Sequence, residues 1–168
     1  MIFVAVYQAG SMSDVSTSDA QNLVDQFEAL VEDIDAIGIF IHNTTIALPM
    51  FIPGFGIGWG LFSAWSTGYA FASLATLEPA IAEVPALSVF LYPFGLMELT
   101  AYSLGISRSY IILTMLLRRL PVQRVAMPTI IEIGITISLL LVGGFVEIYM
   151  IEYLLENHSQ IPSLNDGG

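Results

Sequence analysis

The feature that most limits what this chain can fold into is a long stretch without charge. From Ala36 to Leu77, about forty residues pass with no Asp, Glu, Lys or Arg, roughly twice what one membrane-crossing helix needs. A second apolar stretch, Ala86 to Leu117, is interrupted only by Glu98 and Arg108. A third, from 128 to 153, carries Glu132, Glu147 and Glu152. Away from water every backbone N–H and C=O must find an internal partner, so runs of this kind form helices. The composition points the same way. Of 168 residues, 55% are hydrophobic and 11% charged, and the mean hydropathy is +0.77. A soluble domain averages about 25% charged. The expected fold class is an all-α polytopic membrane protein forming one domain, 1–168.

Proline and glycine punctuate the apolar runs. Pro49, Pro53, Gly54 and Gly56 break the first one, which predicts spans over 36–52 and 54–76 joined by a tight turn. Glu78-Pro79 and Glu83-Val84-Pro85 mark a short polar connection. One straight helix over 86–117 would be about 48 Å long against a hydrocarbon core of about 30 Å. Pro93, Gly95 and Gly105 offer places to bend it, so a span over 86–106 and a separate interfacial helix over 107–120 are expected. Pro121 and Pro128 bracket the loop that carries Arg124. The last of about four transmembrane helices is then 128–153, followed by a polar tail, 157–168.

The N-terminal third reads differently. Residues 18–35 predict an acidic amphipathic helix, with Ser18 and Gln21 at capping-box spacing and a stripe of Leu23, Phe27, Leu30 and Ile34. Asp25, Glu28, Glu32, Asp33 and Asp35 cover its other faces. That sign is wrong for an anionic lipid surface, so the helix is expected to pack on protein. Ile2 to Ala9 are apolar but lack a basic flank and are short for a secretion signal; Met12 opens a second plausible start.

The chain has 15 acidic residues and no lysine, and its formal net charge is −11. Its only basic side chains are Arg108, Arg118, Arg119 and Arg124. Such a balance excludes nucleic-acid binding, and acidic, lysine-free exposed segments suit a high-salt medium. Without cysteine there are no disulfides and no thiol chemistry. Because the arginines lie together, the 108–124 region should face the cytoplasm from a multi-pass position in the cell membrane, with the C-terminus outside. Four spans put the N-terminus outside as well, and a fifth crossing would move it inside.

Ionisable groups inside spans are costly and therefore suspects for function. Glu98 and Glu132 should both occupy the cytoplasmic half. They read either as a carboxylate pair holding a cation or a shared proton, or as groups hydrogen-bonded to a neighbouring helix or reaching an arginine. His42 and Glu147 should lie at similar depth in the outer half. They could share a hydrogen bond or form two legs of a metal site, but two ligands are a poor set; the other reading is a satisfied buried histidine. His158 belongs to the polar tail. Gly56-x-x-x-Gly60 reads as a small-residue packing face or as a gate lined by backbone carbonyls. Trp59, Trp65, Tyr69, Tyr92 and Tyr102 read as interfacial or packing aromatics. No catalytic triad, phosphate loop, CxxC or HExxH is present, so no enzyme activity, cofactor or metal is expected.

Two segments, IFIHNTTIALPMFIPGFGIGWGLFSAWSTGYAFASLA (39–75) and LYPFGLMELTAYSLGISRSY (91–110), resemble the stage II sporulation protein M family. That family has an Asn pair in its first span, a Pro-Gly break, an Asn-Gly-like element and a later Pro-His-Gly…Glu motif. Here Asn43 fills one Asn position and Thr44 stands where a second is often found. Pro53-Gly54 with Gly56 supplies the break, and Thr67-Gly68 occupies the Asn-Gly-like slot. Pro93-Phe94-Gly95 with Glu98 matches the last motif, with Phe94 in place of its histidine. The resemblance implies a membrane anchor, since the family's namesake assembles peptidoglycan-degrading partners, and it implies no chemistry.

The expected function is a non-catalytic scaffold or accessory subunit, partnered by the lipid bilayer and by other membrane subunits or further copies of itself. The alternative is a small transporter or channel using Glu98, Glu132 and Glu147.

Overall fold

A computed structural model describes residues 2–31 and 35–159, with side chains over 2–26 and 35–153. Among the described residues there is no strand; the elements are seven α-helices and two 3₁₀ segments. Helix α1 spans Ile2–Ser11 and α2 spans Thr17–Val31. Helix α3 covers Ala36–Ala47 and runs into a 3₁₀ turn, Leu48–Phe51. Helix α4 follows at Phe55–Leu77, then the one-turn α5 at Pro79–Ala82 and a 3₁₀ segment at Ala86–Leu91. Helix α6 spans Pro93–Leu117 and α7 Gln123–Ser159.

Local chemistry explains most of these boundaries. Asp35 caps α3 from an extended backbone, and its carboxylate accepts from the Gly38 N–H at 2.7 Å. At α2 the cap is Ser16, two residues ahead of the expected Ser18. Its hydroxyl accepts from the Asp19 N–H at 3.2 Å and donates to the Asp19 carboxylate at 2.6 Å. Phe27, Leu30 and Ile34 of the expected stripe, with Glu28, Glu32 and Asp33, lie outside the described side chains; Leu23 is half-buried. The start of α2 packs on the chain's own α4, where Val15, Ala20 and Ala72 form a small cluster.

Three expectations are corrected. Residues 86–120 are not a bent span followed by an interfacial helix, because α6 is continuous from Pro93 to Leu117. Pro93 starts this helix, where its missing N–H costs nothing. Gly95 and Gly105 serve close packing instead of bending: a Cβ at Gly95 would strike the Val89 carbonyl, and one at Gly105 would lie 2.8 Å from Met50 Cβ. The last helix begins at Gln123 and runs through Pro128, so Arg124 is helical. Residues 2–11, expected only as an apolar stretch, are a helix.

That helix is held by backbone contact. A Cβ at Gly68 would collide with the Tyr7 carbonyl, and one at Gly10 with the Trp65 carbonyl. Gly56, Gly60, Ala64, Gly68 and Ala72 recur every fourth residue along α4, and all are buried. This single small-residue stripe takes the Met50 turn and Ile106 at one end and α1 at the other. The core collects Phe3, Tyr7, Ala47, Met50, Ala64, Ala101, Tyr102 and Leu140.

Helices α6 and α7 are antiparallel, since Arg108 meets Glu132 and Met97 meets Gly143. Helix α3 runs alongside α6 in the same direction, from Asn43 beside Glu98 to Met50 beside Gly105. Helix α4 returns in the opposite sense, from Gly54 beside Leu113 to Gly60 beside Ile106. Among the described residues one helix segment, Gln123–Tyr153, is long and apolar enough to cross a membrane. Its most apolar window has mean hydropathy 2.1 and is 11% buried. Ile130, Ile131, Val142, Phe145 and Tyr149 stand exposed along it.

Candidate functional site

Three clusters of polar side chains in the bundle interior each join separate elements. The first is built on Asn43, which is 8% exposed on α3. Its side-chain amide donates to Glu98 Oε1 at 2.6 Å, and the Tyr102 hydroxyl donates to its Oδ1 at 3.3 Å. Glu98 and Tyr102 are four residues apart on α6 and so share a face. Glu147 of α7 lies within electrostatic reach of Glu98. Three helices thus contribute to one site.

The second place is an ion pair between α6 and α7. Arg108 Nε donates to Glu132 Oε2 at 2.7 Å, and its Nη2 donates to Glu132 Oε1. This is the two-pronged geometry that suits guanidinium and carboxylate. Arg108 is buried, with its side chain 8% exposed against 24% for Glu132.

The third place pins the turn between α3 and α4. Ser109 Oγ donates to the Ile52 carbonyl at 2.6 Å and accepts from the Gly54 N–H at 3.0 Å. Gly54 has φ +78, a conformation that any side chain would strain. Proline at 53 and glycine at 54 therefore make a turn that α6 grips from inside the bundle.

These positions redistribute the expected pairings. Glu98 and Glu132 do not pair. They sit on different helices and turn to different partners, Asn43 and Arg108; along α6, Glu98 and Arg108 are ten residues, about 15 Å, apart. The carboxylate that acts electrostatically on Glu98 is Glu147. His42 is exposed and not a buried histidine, and no hydrogen bond joins it to Glu147. The reason is helical phase: its neighbour Asn43 takes the inward position, which turns His42 outward. Among the described residues no group of three or more His, Cys, Asp or Glu stands close enough to hold a metal ion. His158 lies outside the described side chains, as do residues 160–168 altogether.

Gly56 and Gly60 face inward against Met50 and Ile106, while Gly58 meets nothing within 4 Å. Trp59 packs at the same end and donates its indole N–H to the Ile46 carbonyl at 2.9 Å. Trp65 stacks on Tyr69, and Tyr92 stacks on Phe94, the residue in the motif's histidine slot. Tyr102, expected only as an interfacial or packing aromatic, joins this site; its spacing of four from Glu98 was the available signal. Ser109 had none. Two buried hydroxyls, Thr44 Oγ1 and Thr136 Oγ1, have no hydrogen-bond partner among the described residues.

What these contacts define is an all-helical bundle whose interior polar groups clamp helix to helix, around a long apolar helix with its outer face bare. The chain belongs to the stage II sporulation protein M family, whose model matches residues 1–150. Within the matched residues, Asn43 touches Glu98, and Pro53-Gly54 docks on α6. No curated protein matches the chain, and neither does any solved structure.

Proposed function

We propose that this chain is a four-span membrane protein acting as a non-catalytic scaffold or accessory subunit. The spans would be α3 with its 3₁₀ turn, α4, α6 and α7. By helix rise α4 and α6 measure about 34 and 37 Å, enough for a hydrocarbon core of about 30 Å. The α3 limb, at about 26 Å, falls short, in keeping with a turn that ends beside Ser109 within the bundle. The turn bearing Arg118, Arg119 and Arg124 would face the cytoplasm, and the segment with Glu78 and Glu83 the other side.

The observation that carries the scaffold reading is the outer face of α7. A shallow groove beside it, where α7 meets α6, is lined by Met97, Ile131, Gly134, Ile135, Ser138 and Val142, and a Cβ at Gly134 would meet nothing within 4 Å. Small residues on a lipid-exposed helix let another helix approach closely. Native mass spectrometry of the complex extracted in mild detergent tests this. Stoichiometric membrane partners, or further copies, should be present and should be lost in Gly134→Leu. Monomer alone in several detergents overturns the reading.

A second reading, a small transporter or channel, draws on the electrostatic influence of Glu147 on Glu98. Glu132 supports it less, being engaged by Arg108. Unchanged ion or proton flux in Glu98→Gln proteoliposomes would remove it.

A further inference from the structure

Three of the four arginines lie at one place, the turn between α6 and α7. Arg118, Arg119 and Arg124 are exposed, and none of them is paired with a carboxylate among the described residues. No acidic residue occurs between Glu98 and Glu132. A chain of net charge −11 therefore presents one strongly cationic tip. Leu116, Leu117 and Leu120 stand exposed beside it.

The backbone of the turn makes Arg119 unusual. The Leu120 N–H donates to the Met115 carbonyl at 2.8 Å and the Arg119 N–H to the Leu116 carbonyl at 3.0 Å. Those two bonds are the Schellman pattern, which places Arg119 at the position glycine normally takes. Arg119 has φ 53 and is the one non-glycine residue with positive φ among those described. Glycine would sit there without strain, so the arginine keeps its charge at a conformational cost. The helix dipole accounts for cations at the end of α6 but not for Arg124, which opens α7 at the end that disfavours positive charge.

We infer that this tip is a binding site for the phosphodiester headgroups of anionic lipids, with Arg118, Arg119 and Arg124 on the phosphates and Leu116, Leu117 and Leu120 at the acyl boundary. Guanidinium binds phosphate through paired N–H donors in a way lysine does not, and the leucines match the depth at which a headgroup-bound tip sits. The inference rests on the membrane reading above. Each arginine is expected to favour anionic over zwitterionic lipid about 5-fold, and the three together on the order of 100-fold.

The test uses the full chain in a mild non-ionic detergent, titrated with phosphatidylglycerol or phosphatidylcholine and read as lipid adducts by native mass spectrometry. Wild type should prefer phosphatidylglycerol, and R118Q/R119Q/R124Q should lose that preference. Arg119→Gly separates charge from folding: it should raise the melting temperature while cutting the preference about 5-fold. It also carries the test alone if the triple variant does not fold. Equal binding of both lipids by wild type, an undiminished preference in Arg119→Gly, or full competition by millimolar inorganic phosphate would each overturn the assignment. A chain that stays dispersed without detergent would instead refute the membrane reading, so the two failures are distinguishable.

Discussion

Removing one member of the Arg108–Glu132 pair should be far more damaging than removing both. The guanidinium donates through two nitrogens to two oxygens, and the side chains are 8% and 24% exposed. Glu132→Leu leaves a buried guanidinium without its counter-charge, and Arg108→Met leaves the carboxylate. Loss of one partner from a buried pair costs about 3–5 kcal/mol. The residual exposure of Glu132 puts the expected cost near the lower end, about 3 kcal/mol, or on the order of 100-fold in the folding equilibrium. The double variant R108M/E132L replaces the pair with apolar groups of similar reach and should fall within about 1 kcal/mol of wild type. Equilibrium unfolding in mixed micelles of mild detergent and dodecyl sulfate, followed by Trp59 and Trp65 fluorescence, would measure all three. Single variants costing less than about 1 kcal/mol, the size of an exposed pair, would refute the reasoning, because the pair would then sit in a water-like medium. A double variant as damaged as the singles would refute it differently, by showing that the charges themselves position α7.

Asn43→Leu strips the Glu98 carboxylate and the Tyr102 hydroxyl of their shared partner and should cost about 1–3 kcal/mol in the same unfolding assay. Gly68→Leu forces a side chain into the backbone of α1; a cost of about 1–3 kcal/mol is expected, with faster amide exchange confined to residues 2–11 by mass spectrometry. Gly54→Ala must adopt φ near +78 and should cost about 1–2 kcal/mol, while Gly58→Ala, which meets open space, should leave the melting temperature unchanged or raise it slightly.

Helix content and the break at Pro53-Gly54 were legible because charge-free length and proline are local properties. The α6 boundary was not. Gly95 and Gly105 look like bend points in a linear reading, yet each marks a neighbour's approach, from the Val89 carbonyl and from Met50. The N-terminal helix was equally hidden. Nothing in residues 2–11 announces a helix until Gly10 is seen against the Trp65 carbonyl and Gly68 against the Tyr7 carbonyl. At the site neither depth nor rotation was fully readable: Glu98, expected in the same half as Glu132, stands instead at the level of Asn43, ten residues along α6 from Arg108 and its partner Glu132. Glu98 and Glu132 were placed in the same half of the bundle by counting from the arginines, and counting cannot say that Asn43 rather than Glu132 stands opposite Glu98. His42 was misjudged for the same reason, one residue and a third of a turn from Asn43.

In the proposed membrane setting, the division of labour among these contacts follows from what hydrocarbon can and cannot do as a solvent. Burying a leucine out of lipid gains little, so helices there associate through close backbone approach and interhelical hydrogen bonds. Both devices are concentrated on particular elements in this chain. Helix α4 supplies the close approach through its small residues at every fourth position. Helix α6 supplies the bonds: Glu98 and Tyr102 to α3, Ser109 to the Pro53-Gly54 turn, and Arg108 to α7. It is therefore the post to which three other elements are tied, and α7 is tied to it along one side only. That asymmetry leaves the opposite side of α7 free of interior polar obligations, and it is the side on which Ile130, Phe145 and Tyr149 stand exposed. Under the proposed scaffold role, a helix so fastened would carry a partner on its bare face without disturbing the clamps that hold the bundle.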